Sequence, residues 1–312
     1  MQYRQLGRTD LEISRITFGC WAIGGWWWGT VDDSESIAAI RAAAEDGINF
    51  FDTADVYGGG RSETVLGKAL EGIDNVYVAT KGGVQFDENW ATDKSNDPGY
   101  LKKACEASLK RLNREVIDLY QIHWPDEGKT PIDVAIEGLQ ELKEEGKIRY
   151  FGLSNFGESD LEVALDTARY ESVQPKYNLL HREIEEDILP FCEDNEIGVL
   201  AYSPLASGLL TGKFTEVWEF EEGDHRKDHP DFTGEAFKKN LAIVEVLKEY
   251  AEKRECTIAQ LAIAWTLANP AVTSAICGAK KDMQVDELVE AIDFPLKPKE
   301  IEEINAIVTS LS

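Results

Sequence analysis

Apolar positions along the chain alternate between two patterns: short runs rich in β-branched and aromatic residues, and longer stretches whose apolar residues recur at helical spacing. The short runs are Ile16 to Gly19, Asn49 to Asp52, Val76 to Thr80, Ile117 to His123, Tyr150 to Ser154, Ser172 to Lys176, Gly198 to Tyr202 and Thr273 to Ile276. Between them lie the helical stretches Ser34 to Asp46, Ser62 to Leu70, Pro98 to Leu112, Pro131 to Glu145, Glu158 to Ala168, Glu185 to Asn195, Phe237 to Lys253 with Ile258 to Ala268, and Gln284 to Ala291. Gly47, Gly146 and Gly198 follow helix ends, and Pro98 and Pro131 sit at helix starts. Eight strand–helix units predict an α/β chain of the (β/α)8 TIM-barrel class, a single domain over residues 1–312, rather than a doubly wound sheet. A β-hairpin, Gln2 to Leu6 and Leu11 to Ser14, precedes the barrel, and a last helix, Lys299 to Val308, packs outside it. The one long stretch without regular patterning, Leu205 to Gly234, follows the seventh strand, where a βα loop covers the active-site mouth of this fold.

Chemistry in such a barrel gathers where strands end at their C-terminal side. Asp52 ends the second strand, Tyr57 follows five residues later, Lys81 ends the third and His123 the fourth. Singly, each has an ordinary explanation as a turn cap, a packing residue, a surface charge or a core histidine. Together they leave consecutive strands at one rim, where side chains can converge. A phenol of pKa about 10 is a poor acid at neutral pH, and a neighbouring ammonium lowers that value. Lys81 supplies the ammonium, Asp52 keeps it charged, and His123 can hydrogen-bond a substrate carbonyl or relay a proton. The set suits proton donation to an oxyanion. It does not suit acyl transfer, because no Ser or Cys occupies a nucleophile-elbow pattern.

A hydride source is then needed, and nicotinamide is the simplest. The GxGxxG fingerprint is absent; Gly58-Gly59-Gly60 lacks its spacing and reads as a flexible loop beside Tyr57. His225 and His229, four apart with Asp224 and Asp228 beside and between them, are not expected to hold a metal, since the segment is loop-like, ends at Pro230 and lacks a third convincing ligand. Five widely spaced cysteines without a CxxC pair indicate neither a disulfide framework nor a thiolate zinc site. The apolar runs fall far short of the roughly 20 residues of a membrane span, and the N-terminus lacks a basic-then-apolar leader, so a cytoplasmic protein without a membrane partner is expected. Eight tryptophans, three of them consecutive at Trp26 to Trp28 after the first strand, suggest an aromatic pocket wall.

At this point the sequence resembles the aldo-keto reductases, over essentially its whole length. The motifs are Gly47-Ile48-Asn49-Phe50-Phe51-Asp52-Thr53-Ala54-Asp55-Val56-Tyr57-Gly58, Ala79-Thr80-Lys81, Ile117-Asp118-Leu119-Tyr120-Gln121-Ile122-His123-Trp124-Pro125, Gly152-Leu153-Ser154-Asn155-Phe156 and Ala201-Tyr202-Ser203-Pro204-Leu205. The resemblance implies reduction of an aldehyde or ketone to an alcohol, with Tyr57 as general acid, Lys81 and Asp52 tuning it and His123 orienting the substrate. It implies that Ser154, Asn155 and Gln174 hydrogen-bond the nicotinamide amide, that Tyr202 stacks on its ring, and that Ser203, Leu205 and Gly208 cover the pyrophosphate. Gly278, Ala279, Lys280, Lys281 and Gln284 resemble the segment that holds an adenosine 2′-phosphate, with Glu287 near the adenine. Leu288 departs from the family, which commonly places Asn there. Lys280 and Lys281 at a helix start favour NADP(H), with NAD(H) the other cofactor open to the fold. Trp21 and Trp124 are implied to line the substrate pocket, and Trp26 and Trp90 are further candidates. The family also contains nucleotide-binding regulatory subunits, slow or non-catalytic, so the same residues admit that role.

The charge balance adds one expectation. Lys plus Arg number 32 against 58 Asp plus Glu, a net charge of -26, which repels nucleic acid. The acidic residues are spread over many helices rather than gathered in a tail, as in a solvated coat suited to high salt. Melting temperature and activity are expected to rise with molar KCl; thermal melts that stay flat or fall with salt would remove the idea.

Overall fold

The computed structural model describes residues 1–26, 28–87 and 92–311. The elements run β1 (Tyr3–Gln5), β2 (Glu12–Ser14), β3 (Ile16–Gly19), α1 (Asp33–Glu45), β4 (Phe50–Asp52), α2 (Arg61–Ala69), β5 (Tyr77–Gly82), β6 (Val84–Phe86), β7 (Thr92–Lys94), α3 (Pro98–Leu112), β8 (Ile117–Ile122) and α4 (Ile132–Glu144). They continue with β9 (Ile148–Ser154), α5 (Glu158–Thr167), β10 (Ser172–Gln174), α6 (Ile188–Asp194), β11 (Gly198–Tyr202), α7 (Gly234–Glu252), α8 (Ile258–Ala268), β12 (Val272–Gly278), α9 (Met283–Glu290) and α10 (Pro298–Leu311). The eight strands β3, β4, β5, β8, β9, β10, β11 and β12 close into a parallel barrel, each predicted from its apolar run. Among the described residues no helix is long and apolar enough to cross a membrane.

Successive strand residues face opposite sides of a sheet, so each barrel strand sends every second side chain into the lumen. Phe50, Ala79, Leu119 and Leu200 form an apolar floor there, and Leu6, Leu11 and Ile13 of the N-terminal hairpin seal it from below. Two residues further along, the inward positions turn polar. Asp52 follows Phe50, Lys81 follows Ala79, and Gln121 follows Leu119. Lys81, Gln121, Gly152 and Ser172 are register partners across β5, β8, β9 and β10. The outward residues of the same strands pack against the helices in the main core, for example Phe51, Val78, Tyr120 and Ile122.

Three local features differ from the expectation. The segment after β5 forms a short antiparallel hairpin, β6 with β7, whose three-residue arms are too brief to leave a periodic signal. Trp27 and Trp90 lie outside the described residues. The long segment after β11 is not structureless: it holds 3-10 turns at Ala206–Thr211, His225–Asp228 and Pro230–Phe232, gathered around Phe214, Phe220 and Phe232 with ring centroids 5.4–5.6 Å apart. Nor is the Gly58-Gly59-Gly60 turn a loose spacer. A Cβ at Gly58, whose φ is +62°, would lie 2.1 Å from the carbonyl oxygen of Gly24, so the turn carrying Tyr57 is packed backbone to backbone against the loop after β3.

Candidate active site

Lys81 is fully buried, and an ammonium without water needs its hydrogens matched by acceptors. Nζ donates to Asp52 Oδ2 at 2.6 Å and to the Thr53 carbonyl at 2.8 Å, and lies 3.5 Å from the Tyr57 hydroxyl. The His123 ring stands nearly perpendicular to the Tyr57 ring, with centroids 5.6 Å apart. The four residues predicted from their strand-end positions therefore meet in one cluster at the barrel mouth.

The phenol's acidity is not what the sequence suggested. Burial raises the Tyr57 pKa well above the ordinary value, and the charges of Asp52, Cys20 and Asp55 push the same way. Lys81 does not overcome this because its charge is already matched by Asp52 at 2.6 Å. Burial first, and then the Lys81 charge, pull the His123 pKa well below its usual value. The resting cluster holds a neutral phenol beside a neutral imidazole.

A cleft of about 830 Å³ extends from His123 and Trp124 to Glu287 and Leu288, within the size range of ligand sites. Ser154, Asn155, Gln174, Tyr202, Ser203, Leu205 and Gly208 all line it, as do Gly278, Ala279, Lys280, Gln284 and Glu287. Asn155 sits in the left-handed region at φ 66°; its Nδ2 donates to the His123 carbonyl at 2.9 Å, and its Oδ1 accepts from the Tyr202 hydroxyl at 2.8 Å. Ser203, Ala206 and Ser207 are left-handed as well, at φ 55°, 46° and 54°. Strained backbone of this kind persists where surrounding structure enforces it, often at a ligand clamp.

Other residues are placed differently. Gln284 Oε1 accepts the backbone N–H of Lys280 and of Lys281, so its amide braces the loop. Lys281 does not line the cleft; its Nζ lies 3.6 Å from Glu35 on α1. Lys213 and Arg226, which the sequence reading missed, line the cleft with Lys280. Burial lowers the pKa of Lys213 and Lys280, and mutual repulsion with Arg226 adds to it. Their signal was available as basic residues in the otherwise acidic segment after β11. Trp21, Trp28 and Trp124 wall the catalytic end, and His225 packs between Trp21 and Trp28 at centroid distances of 5.0 and 4.7 Å. Trp26 does not reach the cleft: its ring lies 5.7 Å from Phe86, over Ala54, Val56 and Val84. Among the described residues no group of His, Cys, Asp and Glu side chains is arranged to hold a metal.

A parallel barrel with a buried lysine–carboxylate pair, a phenol and an imidazole at its mouth, beside a long cleft, defines a nucleotide-dependent oxidoreductase of the barrel class. The chain belongs to the aldo/keto reductase family, whose model matches residues 15–309. It is similar to the aldo-keto reductase YhdN of Bacillus subtilis (strain 168), 40% identical over 99% of this chain and 94% of that protein. Among solved structures it is similar to the glycerol dehydrogenase AKR11B4 from Gluconobacter oxydans, with a TM-score of 0.92 and 39% identity over 99% of this chain and 95% of that one. It is also similar to an aldo-keto reductase from Klebsiella pneumoniae in complex with NADPH, with a TM-score of 0.76 and 28% identity over 98% and 95% of the two chains.

The two pKa directions set a pH dependence. A raised phenol pKa keeps the Tyr57 proton in place into alkaline pH, and a depressed imidazole pKa keeps His123 neutral below its usual titration near 6.5. Carbonyl reduction is expected to show a flat kcat/KM from about pH 6 to about pH 9. An inflection near pH 6.5 that His123→Asn abolishes would contradict the buried, neutral imidazole.

Proposed function

We propose that this chain is an NADPH-dependent carbonyl reductase in which Tyr57 delivers the proton to a small aldehyde or ketone. The observation that carries the reading is the Lys81 ammonium, held by Asp52 at 2.6 Å, 3.5 Å from a neutral Tyr57 hydroxyl that borders the cleft. When bound, NADPH supplies a hydride to the carbonyl carbon. Tyr57 gives its O–H proton to the carbonyl oxygen, and the phenolate left behind is stabilised by Lys81. Asp52 and the Thr53 carbonyl fix the ammonium beside it. Neutral His123 donates one ring N–H to the substrate oxygen and orients it. In the reverse direction the phenolate takes the alcohol proton.

The far end of the cleft suits the cofactor. Lys213 and Lys280 line the cleft beside Arg226, whose own charge is paired with Asp224, and in a chain of net charge -26 these cations suit a dinucleotide bearing a 2′-phosphate. The Klebsiella relative with bound NADPH supports the same choice. The tryptophan walls supply apolar contact to the substrate carbon skeleton.

Two measurements test the reading. In an NADPH oxidation assay over aldehydes, ketones and sugars, Tyr57→Phe should lose about 10²–10⁴-fold in kcat, the usual contribution of a general acid, with little change in NADPH affinity. Full activity in that variant would dismiss Tyr57 as the acid. Lys280→Ala should raise KM for NADPH while leaving KM for NADH nearly unchanged; equal KM values for both cofactors in wild type and variant would remove the phosphate assignment.

A further inference from the structure

The Gln174 side chain is buried, and its amide has a defined sense. Nε2 lies 2.8 Å from Asp52 Oδ1 and 3.0 Å from Gln121 Oε1. Turned the other way, the amide oxygen would meet a charged carboxylate lone pair to lone pair, so the NH2 group must face these two acceptors. Both of its hydrogens are then used. Oε1 receives no hydrogen bond among the described residues, and it is not one of the sealed polar atoms, so it opens on the cleft that Gln174 lines.

Gln121 is fully buried and does not line the cleft. Its Nε2 donates to Ser172 Oγ at 3.2 Å, which turns its own Oε1 toward Gln174. Ser172 Oγ occupies space that only glycine leaves free on the next strand: a Cβ at Gly152 would lie 2.1 Å from it. Gly152, Ser172 and Gln121 thus form one braced row behind Gln174.

We propose that Gln121 is a positioning residue: by accepting the second Gln174 N–H, it holds Gln174 Oε1 toward the cleft as the acceptor for the carboxamide N–H of the nicotinamide. The proposal rests on the cofactor reading given above and adds the residue that, alongside Asp52, holds the amide in that sense. It also ties the nicotinamide end to the proton-transfer cluster. Gln174 donates to one oxygen of Asp52, and the other oxygen accepts from Lys81, so carboxamide, Gln174, Asp52, Lys81 and Tyr57 form one chain of contacts. Without Gln121 Oε1, one buried N–H of Gln174 has no acceptor and the amide leans toward Asp52.

Gln121→Met keeps the volume and removes the acceptor. Affinities for NADP⁺ and for 2′,5′-ADP, which lacks the nicotinamide half, are measured by quenching of tryptophan fluorescence. The variant is expected to bind NADP⁺ about tenfold more weakly, the worth of one hydrogen bond, and 2′,5′-ADP as wild type does. Gln121→Glu restores NADP⁺ binding, because a carboxyl buried at this position stays protonated and presents the same acceptor and donor. Ser172→Ala, which frees Gln121 from its anchor, shows the same split in smaller measure and serves where Gln121→Met does not fold. Unchanged NADP⁺ affinity in Gln121→Met, or parallel loss of both ligands, overturns the proposal. Wild type that binds NADP⁺ no better than 2′,5′-ADP overturns it together with the Gln174 contact, and wild type that binds neither ligand refutes the cofactor reading itself.

Discussion

The structure depends on one buried ion pair. Moving an ammonium and a carboxylate out of water costs several kcal/mol per ion, offset only where geometry is close and the remaining hydrogen-bonding groups are matched. Lys81 and Asp52 meet that condition at 2.6 Å because β4 and β5 are adjacent parallel strands and both residues fall on lumen-facing positions. Every group around them then follows. The Thr53 carbonyl accepts a second hydrogen bond from the ammonium, Gln174 Nε2 donates to the second oxygen of the carboxylate, and the glycine turn packed on Gly24 brings Tyr57 to 3.5 Å from Nζ. The apolar floor of Phe50, Ala79, Leu119 and Leu200, plugged by the hairpin, keeps water from reaching the pair from below.

Much of this was legible in the sequence because it is written in periodicity. Eight apolar runs separated by amphipathic stretches can close only a few ways, and the strand bounds agree with the structure to within about three residues. Asp52, Lys81 and His123 were found because each stands where a strand ends, a position that in a barrel carries meaning without any contact being known. Gln121 was not found, and the reason is physical. It lies inside a strand, one residue before an apolar outward position, where a polar residue reads as solvent-facing; only closure of the barrel turns that face into a sealed interior. Lys213 and Arg226 were missed because they come from a segment with no period, whose path is fixed by aromatic clustering rather than by hydrogen-bonded repeats. Trp26 was misplaced by the opposite error: consecutive tryptophans were read as one wall, yet neighbouring residues in a loop point in different directions, and Trp26 packs on Phe86 while Trp28 lines the cleft.

The departure with most bearing on mechanism is the acidity of Tyr57. A lysine beside a tyrosine suggests a phenol ready to ionise, but here the lysine's charge is matched by Asp52 before the phenol is considered, and burial adds to the cost of phenolate. Such a phenol does not lose its proton to solvent. It can still be an effective acid, because what accelerates the reaction is stabilisation of charge as it develops, not acidity at rest. In the proposed transfer, negative charge would grow on a hydroxyl 3.5 Å from an ammonium whose orientation is already fixed by Asp52 and the Thr53 carbonyl. Lys81 acts more strongly on the phenolate than on the phenol. Under the proposed mechanism, the ion pair buried at the barrel mouth would thus also be the source of the acid's strength.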